Sequence, residues 1–257
     1  MHGCHHADGT PAPCVIGGGA FGPDARDYYR QGKLGKNIKR THWQRGSVVE
    51  AAYILYSNHA GGYGYRLCKS AGANVTEECF KAGHLDFVGD SHIIQWGPDK
   101  STRKMIPAVY TSNGTHPPGS MWARGPIPTC SGANGGYVWK GTSAIECEPY
   151  PWRPENLRKT QFPPPLPGLY GWGTDYTDQR THKPHHYMPY FIIDRLQVPI
   201  GLATGEYAIS WRWDAEQGAQ VWTTCGNIEV VDHAVEEKEW AAWADDCKRW
   251  PPLLGDQ

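Results

Sequence analysis

The sequence predicts an all-β fold: an immunoglobulin- or fibronectin-like antiparallel β-sandwich with long loops and a C-terminal helix. Three observations point there. Gly (31) and Pro (21) are abundant in the 257 residues, and both interrupt helices. Several segments alternate apolar and polar residues at period two. Turn-forming clusters separate those segments. Aromatics make up 12% of the chain, with 12 Trp, enough to bury a core despite the polar average. A net charge of −1 supplies no electrostatic steering toward nucleic acid. The longest apolar runs fall short of the roughly 18 residues of a membrane span, so neither nucleic acid nor membrane is expected as a partner.

Residues 1–46, rich in Gly, Pro and charge, read as an extended segment packed on the sandwich. Ser47–Tyr56 is the first strand, followed by the turn Asn58–Gly62. Tyr63, Tyr65 and Leu67 alternate with Gly64 and Arg66 as a half-buried strand running into Cys68. Shorter strands are expected at Leu85–Val88, His92–Trp96 and Met105–Tyr110. Residues 111–190, with Pro163-Pro164-Pro165 and Pro167, read as several long functional or decorating loops. Phe191–Val198, Glu206–Asp214 and Gln220–Val231 follow as strands. In the second of these, Tyr207, Ile209, Trp211 and Trp213 share one face. The sandwich thus spans residues 47–232. In residues 233–257, Trp240, Trp243, Cys247 and Trp250 recur at helical spacing and Pro251-Pro252 ends the pattern. This helix is expected to dock its Trp stripe on the sandwich, or to serve as an interface in an extracellular assembly.

Eight cysteines occur without a CxxC pair, which disfavours a structural zinc site. The spacings suit two short-loop disulfides, Cys68–Cys79 and Cys130–Cys147, each stabilising by roughly 3 kcal/mol on the chain-entropy model. Sequons for N-glycosylation stand at Asn74-Val75-Thr76 and Asn113-Gly114-Thr115. Together these features favour a secreted protein, the alternative being a cytosolic chain with buried thiols. Met1-His2-Gly3-Cys4 carries no apolar h-region, which leaves a trimmed precursor or a chain that is not secreted.

The stretch Gly205-Glu206-Tyr207 through Gly218-Ala219-Gln220-Val221-Trp222-Thr223-Thr224-Cys225-Gly226-Asn227-Ile228-Glu229-Val230 resembles the last strands of fungal lytic polysaccharide monooxygenases. The block Asn58-His59-Ala60-Gly61-Gly62-Tyr63-Gly64-Tyr65-Arg66-Leu67-Cys68 is similar to a segment of secreted monooxygenase-like domains of algae and other protists. Thr76–Phe80, Phe87–Asp90, Pro165–Gly171 and Trp211–Gln217 resemble the same protist group. That likeness covers most of residues 14–232.

The resemblance implies an immunoglobulin-like sandwich holding copper in a histidine brace, built from the amine and side chain of a first-position His plus one internal His. Imidazole nitrogens suit copper, which heads the divalent affinity series. By motif position His59 is the internal ligand, and the alternative is an ordinary turn histidine. His2, in a His2-Gly3 pair preceded by Met1, stands nearest the first-position ligand, with His5 and His6 as neighbours lacking the terminal amine. Gln220 falls at the group that hydrogen-bonds beside the metal. Trp222 stands where the fungal enzymes have an axial Tyr, and it either shields the metal or packs as core. Ala215 replaces a Cys of the relatives, so Cys225 must find another partner; Cys14, with Cys4 left for Cys247, is one choice among 105 connectivities.

Tyr63, Tyr170 and Trp172 lie in Gly/Pro-rich stretches with Trp139 and Trp152; their rings either stack on pyranose faces or pack against the sandwich. His182-Lys183-Pro184-His185-His186 is a weaker metal candidate in a proline-containing loop. Asp214 and Glu216 share a face about 7 Å apart, close enough for hydrolase chemistry, although a solvated pair or a partner for Arg212 is the better reading. No GxSxG, P-loop or HExxH motif occurs, and no GxGxxG follows a strand. Two functions follow. One is a secreted copper-dependent oxidase cleaving a structural polysaccharide such as cellulose or chitin. The other is a non-catalytic glycan-binding or matrix module on the same sandwich.

Overall fold

The computed structural model describes residues 41–55, 58–69, 75–129, 146–147, 158–159, 162–167, 169, 174–177, 184–187, 190–216 and 220–234. Two sheets face each other. The larger contains β1 (Thr41–Gln44), β3 (Gly62–Cys68), β6 (Tyr110–Thr111), β7 (Trp122–Arg124), β13 (Gly205–Asp214) and β14 (Val221–Val231), in the order β1-β14-β13-β3-β7-β6. The smaller contains β2 (Val48–Tyr53), β4 (Ser91–Gln95), β5 (Lys104–Pro107) and β12 (Phe191–Gln197), in the order β2-β12-β4-β5. All pairings are antiparallel except β1 with β14. This is the all-β sandwich that the period-two segments predict.

The longest strands follow the sequence closely. β13 pairs with β14 from Gly205↔Val230 to Asp214↔Val221, and with β3 from Ala208↔Cys68 to Asp214↔Gly62. Tyr207, Trp211 and Trp213 point inward and pack with Tyr63, Ile192 and Ile228 in one core. Several expectations need correction. Thr41–Gln44, read as part of an extended N-terminal segment, is a sheet strand in its own right, parallel to β14. Leu85–Val88 forms no strand; only the single bridge Phe87↔Leu196 and isolated backbone bonds hold it. The expected Met105–Tyr110 strand divides into β5 and β6 after Pro107, which lacks a ladder donor. Within the supposed long loops, β10 (Thr174–Thr177) pairs with β11 (Pro184–Tyr187), and β8 (Glu146–Cys147) with β9 (Arg158–Lys159). The expected C-terminal helix and tail, residues 233–257, lie outside the described residues from residue 235 onward.

A short helix absent from the sequence reading, α1 (Glu77–Ala82), lies on the outer face of the larger sheet. The Thr76 hydroxyl accepts from Cys79 N at 3.1 Å, Glu77 and Glu78 occupy the first turn, and Lys81 the last. Phe80 is fully buried in a small cluster with Cys68, Val75 and Ala208. The expected Cys68–Cys79 disulfide is present and fastens α1 to β3.

Between the sheets sits a buried carboxylate, Asp194, with no exposed surface. Tyr63 donates to its Oδ1 at 3.1 Å, Tyr65 to its Oδ2 at 2.9 Å, and His92 Nδ1 to Oδ1 at 2.6 Å. β3 belongs to one sheet, and β4 and β12 to the other, so these bonds bridge the two layers. Truncation by Asp194→Ala would strand three buried donors. The expected loss is about 3–5 kcal/mol, read as a lowered denaturant midpoint with an unchanged slope.

Candidate functional site

The Asn58–Gly61 turn connects to β3 and is held at every side. Asn58 Nδ2 donates to Ile127 O at 2.8 Å while its Oδ1 accepts from Ala60 N at 3.0 Å. The Trp213 indole donates to Ala60 O at 2.7 Å, Glu216 N to His59 O at 3.2 Å, and Gly125 N to Gly61 O at 2.8 Å. Ala60 and Gly61 adopt positive φ, 56° and 86°. A Cβ on Gly61 would lie 2.1 Å from Asp214 O, so glycine is required there on both counts.

This turn drives the His59 ring against two indoles. Its centroid is 5.7 Å from that of Trp222, nearly parallel, and 5.8 Å from that of Trp213. The ring is not presented outward as the turn position suggests: His59 is 8% exposed, with the two indoles flanking it. Gln220 joins through the backbone, with Ala215 N donating to Gln220 O at 2.9 Å next to the Glu216–His59 bond. Gln220 is 9% exposed. Its Oε1 and the Trp222 Nε1 are buried with no hydrogen-bond partner among the described residues. His59 and Trp222, far apart in sequence, therefore meet at one end of the sandwich, with Gln220 two residues before Trp222 tied to the same end through its backbone. Trp222 is half-buried at the margin of the core, so it is both packing residue and site wall.

The remaining expected residues are distributed differently. Tyr63 is 1% exposed and points into the core, bound to Asp194, so its ring offers no face to a sugar. Asn113 is exposed in the connection between β6 and β7. His2, Tyr170, Trp172, Asn74 and Cys130 lie outside the described residues, and Cys147 is described only by its strand pairing in β8. Cys225 is in a disulfide.

The outer face of the larger sheet carries a charged cluster that the sequence reading met only in part. Arg66, buried in β3, donates to Glu77 Oε1 at 2.6 Å and to Ser210 Oγ at 3.0 Å. Arg212 donates to the same Glu77 oxygen at 2.8 Å and embraces Asp214 through Nε and Nη2 at 2.6 and 3.0 Å. Asp214 is thus the partner of Arg212 and no free catalytic acid. His84 lies over Gly64, where a Cβ would come within 2.6 Å of its ring, and beside Trp122 at 5.4 Å. Burial, with the charges of Arg66 and Arg212, pushes the His84 imidazole down to about 4. The only signal for this cluster in the sequence is charge at Arg66 and Arg212 on the face opposite the tryptophans.

No protein-family model matches the chain, and no curated protein matches it. Two of the solved structures that it matches are the following. One is a lytic polysaccharide monooxygenase AA15 from Thermobia domestica in the Cu(I) state, 13% identical over 88% of this chain and 79% of that one, with a TM-score of 0.38. The other is a family 123 glycoside hydrolase from Clostridium perfringens, 9% identical with a TM-score of 0.22; the chain spans 26% of its length, with 82% of this chain covered. Likeness at these scores decides no chemistry.

Two outcomes follow from the geometry. Gly61→Ala should destabilise by about 1–3 kcal/mol through backbone strain and collision and weaken the near-ultraviolet circular dichroism of the Trp213–Trp222 pair. His84 binds a proton near pH 4 when folded and near 6.5 when unfolded. The unfolded state therefore takes up the proton first, and stability should fall as pH drops from about 6.5 to 4. His84→Gln should flatten that slope in denaturation curves taken across the window.

Proposed function

We propose that this chain is a secreted, polysaccharide-directed β-sandwich protein of the monooxygenase-like kind, with His59 as one ligand of a copper site. The observation that carries this proposal is the convergence of His59, Gln220 and Trp222 at one end of the sandwich. These are the residues that the sequence resemblance assigns to the metal, its hydrogen-bonding neighbour and its axial position.

The donor chemistry fits copper in part. His59 offers an imidazole whose plane is fixed by the hydrogen-bonded turn and two flanking indoles. Gln220 Oε1 is a buried acceptor still to be satisfied, suited to a hydrogen-bonded water or oxygen species. Among the described residues no three His, Cys, Asp or Glu side chains come together, so the second nitrogen donor falls to the remaining histidines, His2 being the one the resemblance names. When bound, copper supplies one-electron activation of oxygen or peroxide toward a sugar C–H bond. The chain's own part is to hold the imidazole oriented, and to exclude water through Trp213 and Trp222. Trp222 would bring an indole, and no oxygen donor, to the metal's surroundings.

An indole in place of an oxygen donor at Trp222, and His59 as the one imidazole at this site among the described residues, also favour a second function, a glycan-binding module without redox chemistry. Copper titration followed by electron paramagnetic resonance separates the two. Submicromolar binding that quenches tryptophan fluorescence and disappears in His59→Ala supports the metal site. Equal binding in both proteins overturns it. Retention on insoluble chitin or cellulose with metal chelated, and no oxidised sugar on adding copper and reductant, leaves the binding module.

A further inference from the structure

An unbroken series of rings leads from Trp222 into the middle of the core. Trp222 lies 5.8 Å from Trp213, Trp213 lies 6.0 Å from Trp211, and Trp211 lies 5.9 Å from Tyr63, centroid to centroid. Tyr63 and Tyr65 follow at 6.1 Å. Tyr53 bridges Trp211 and Tyr63 at 4.8 and 4.9 Å. Of the five rings from Trp222 to Tyr65, only Trp222 is half-exposed; the other four are buried. The series ends on a base, because both phenols donate to the Asp194 carboxylate.

We propose that this series is a one-electron relay: a hole formed on Trp222 passes through Trp213 and Trp211 to Tyr63 or Tyr65, whose phenolic proton moves to Asp194. The step balances. A one-electron oxidant at the surface gains the electron, the Tyr O–H bond breaks, the proton bonds to an Asp194 oxygen, and a neutral phenoxyl radical remains beside a neutral carboxylic acid. The relay is independent of the copper proposal, since any one-electron oxidant reaching Trp222 starts it.

Three physical reasons favour transfer in that direction. An indole that loses an electron in an apolar core becomes an unpaired buried cation, which is costly. A phenol that yields electron and proton together stays neutral, and the same step removes the buried charge of Asp194. The phenols also hold their protons until that moment: burial, reinforced by the charge of Asp194, keeps both far above the ordinary phenol range. Packing alone accounts for the aromatic rings, but it does not require that the last two end on one carboxylate.

The test uses the metal-free protein with photogenerated tris(bipyridine)ruthenium(III) as oxidant, freeze-quenched for electron paramagnetic resonance. The expected product is a tyrosyl radical with the shifted g-value of a hydrogen-bonded phenoxyl and coupling to one exchangeable deuteron. Trp211→Phe keeps a ring in the core yet should lose this signal and leave an indolyl radical. The Tyr63→Phe/Tyr65→Phe double variant should lose it as well. A tyrosyl signal unchanged in Trp211→Phe overturns the relay, because the holes then reside on other tyrosines. Should the variants fail to fold, the wild-type spectrum still decides: a phenoxyl without exchangeable-deuteron coupling overturns the proposal too.

Discussion

The sandwich depends on one buried carboxylate. An ionised group at the centre of a protein is tolerated only when hydrogen bonds replace its hydration, and Asp194 obtains three, from Tyr63, Tyr65 and His92. Each such bond to a charged group contributes about 1.5–3 kcal/mol. Their larger consequence is positional. Two donors come from β3 in one sheet; the third comes from β4, beside β12 in the other. A slip of one residue in β12 would turn Asp194 outward and bring Ile193 or Arg195 to the tyrosines. The polar core therefore selects a single register between layers that hydrophobic packing alone would let slide.

That register sets the position of the candidate site. With β3 fixed against β13, Gly62 lies opposite Asp214, and the preceding turn must pass close over the β13–β14 connection. Gly61 permits the close approach, and Asn58 ties the turn to Ile127. His59 has then nowhere to go but onto Trp222 and Trp213. The same pairing places Arg66 and Arg212 side by side on the opposite face, where Glu77 from α1 bridges them and, with Asp214, balances their two charges. Each sheet face has its own solution to burial, apolar with one bonded carboxylate inside, ion-paired outside. Burial, reinforced by the two guanidiniums of the outer face, favours the neutral form of His84.

Much of the fold was legible in the sequence where a local period carried it. β3, β12, β13 and β14 alternate strongly enough to be found without partners, and the close spacing of Cys68 and Cys79 suits the observed bridge. β1 was not legible, because a four-residue edge strand acquires its structure only from β14. α1 was hidden by its length: six residues lie well below what forms a helix unaided, and it persists through Thr76, Phe80 and the disulfide. Of the candidate site, His59, Gln220 and Trp222 came from motif resemblance, while the exposure of His59 and Tyr63 was misjudged. Turn and strand propensities say nothing of which neighbours will cover a ring.

The amino-acid sequence by itself determined the all-β class, the main strands and the inward phase of the tryptophans, since these depend on alternation along one strand. It also carried the phase of Asp194, which alternates with Ile192 and Leu196 in β12, although nothing local names its partners. The tertiary structure alone decided that Tyr63, Tyr65 and His92 share that carboxylate, that Trp213 and Trp222 flank His59, and that Arg66 and Arg212 share Glu77. All three are meetings of residues distant in the chain or lodged on different strands. Such meetings depend on how layers stack and strands pair, which no period along a single strand encodes.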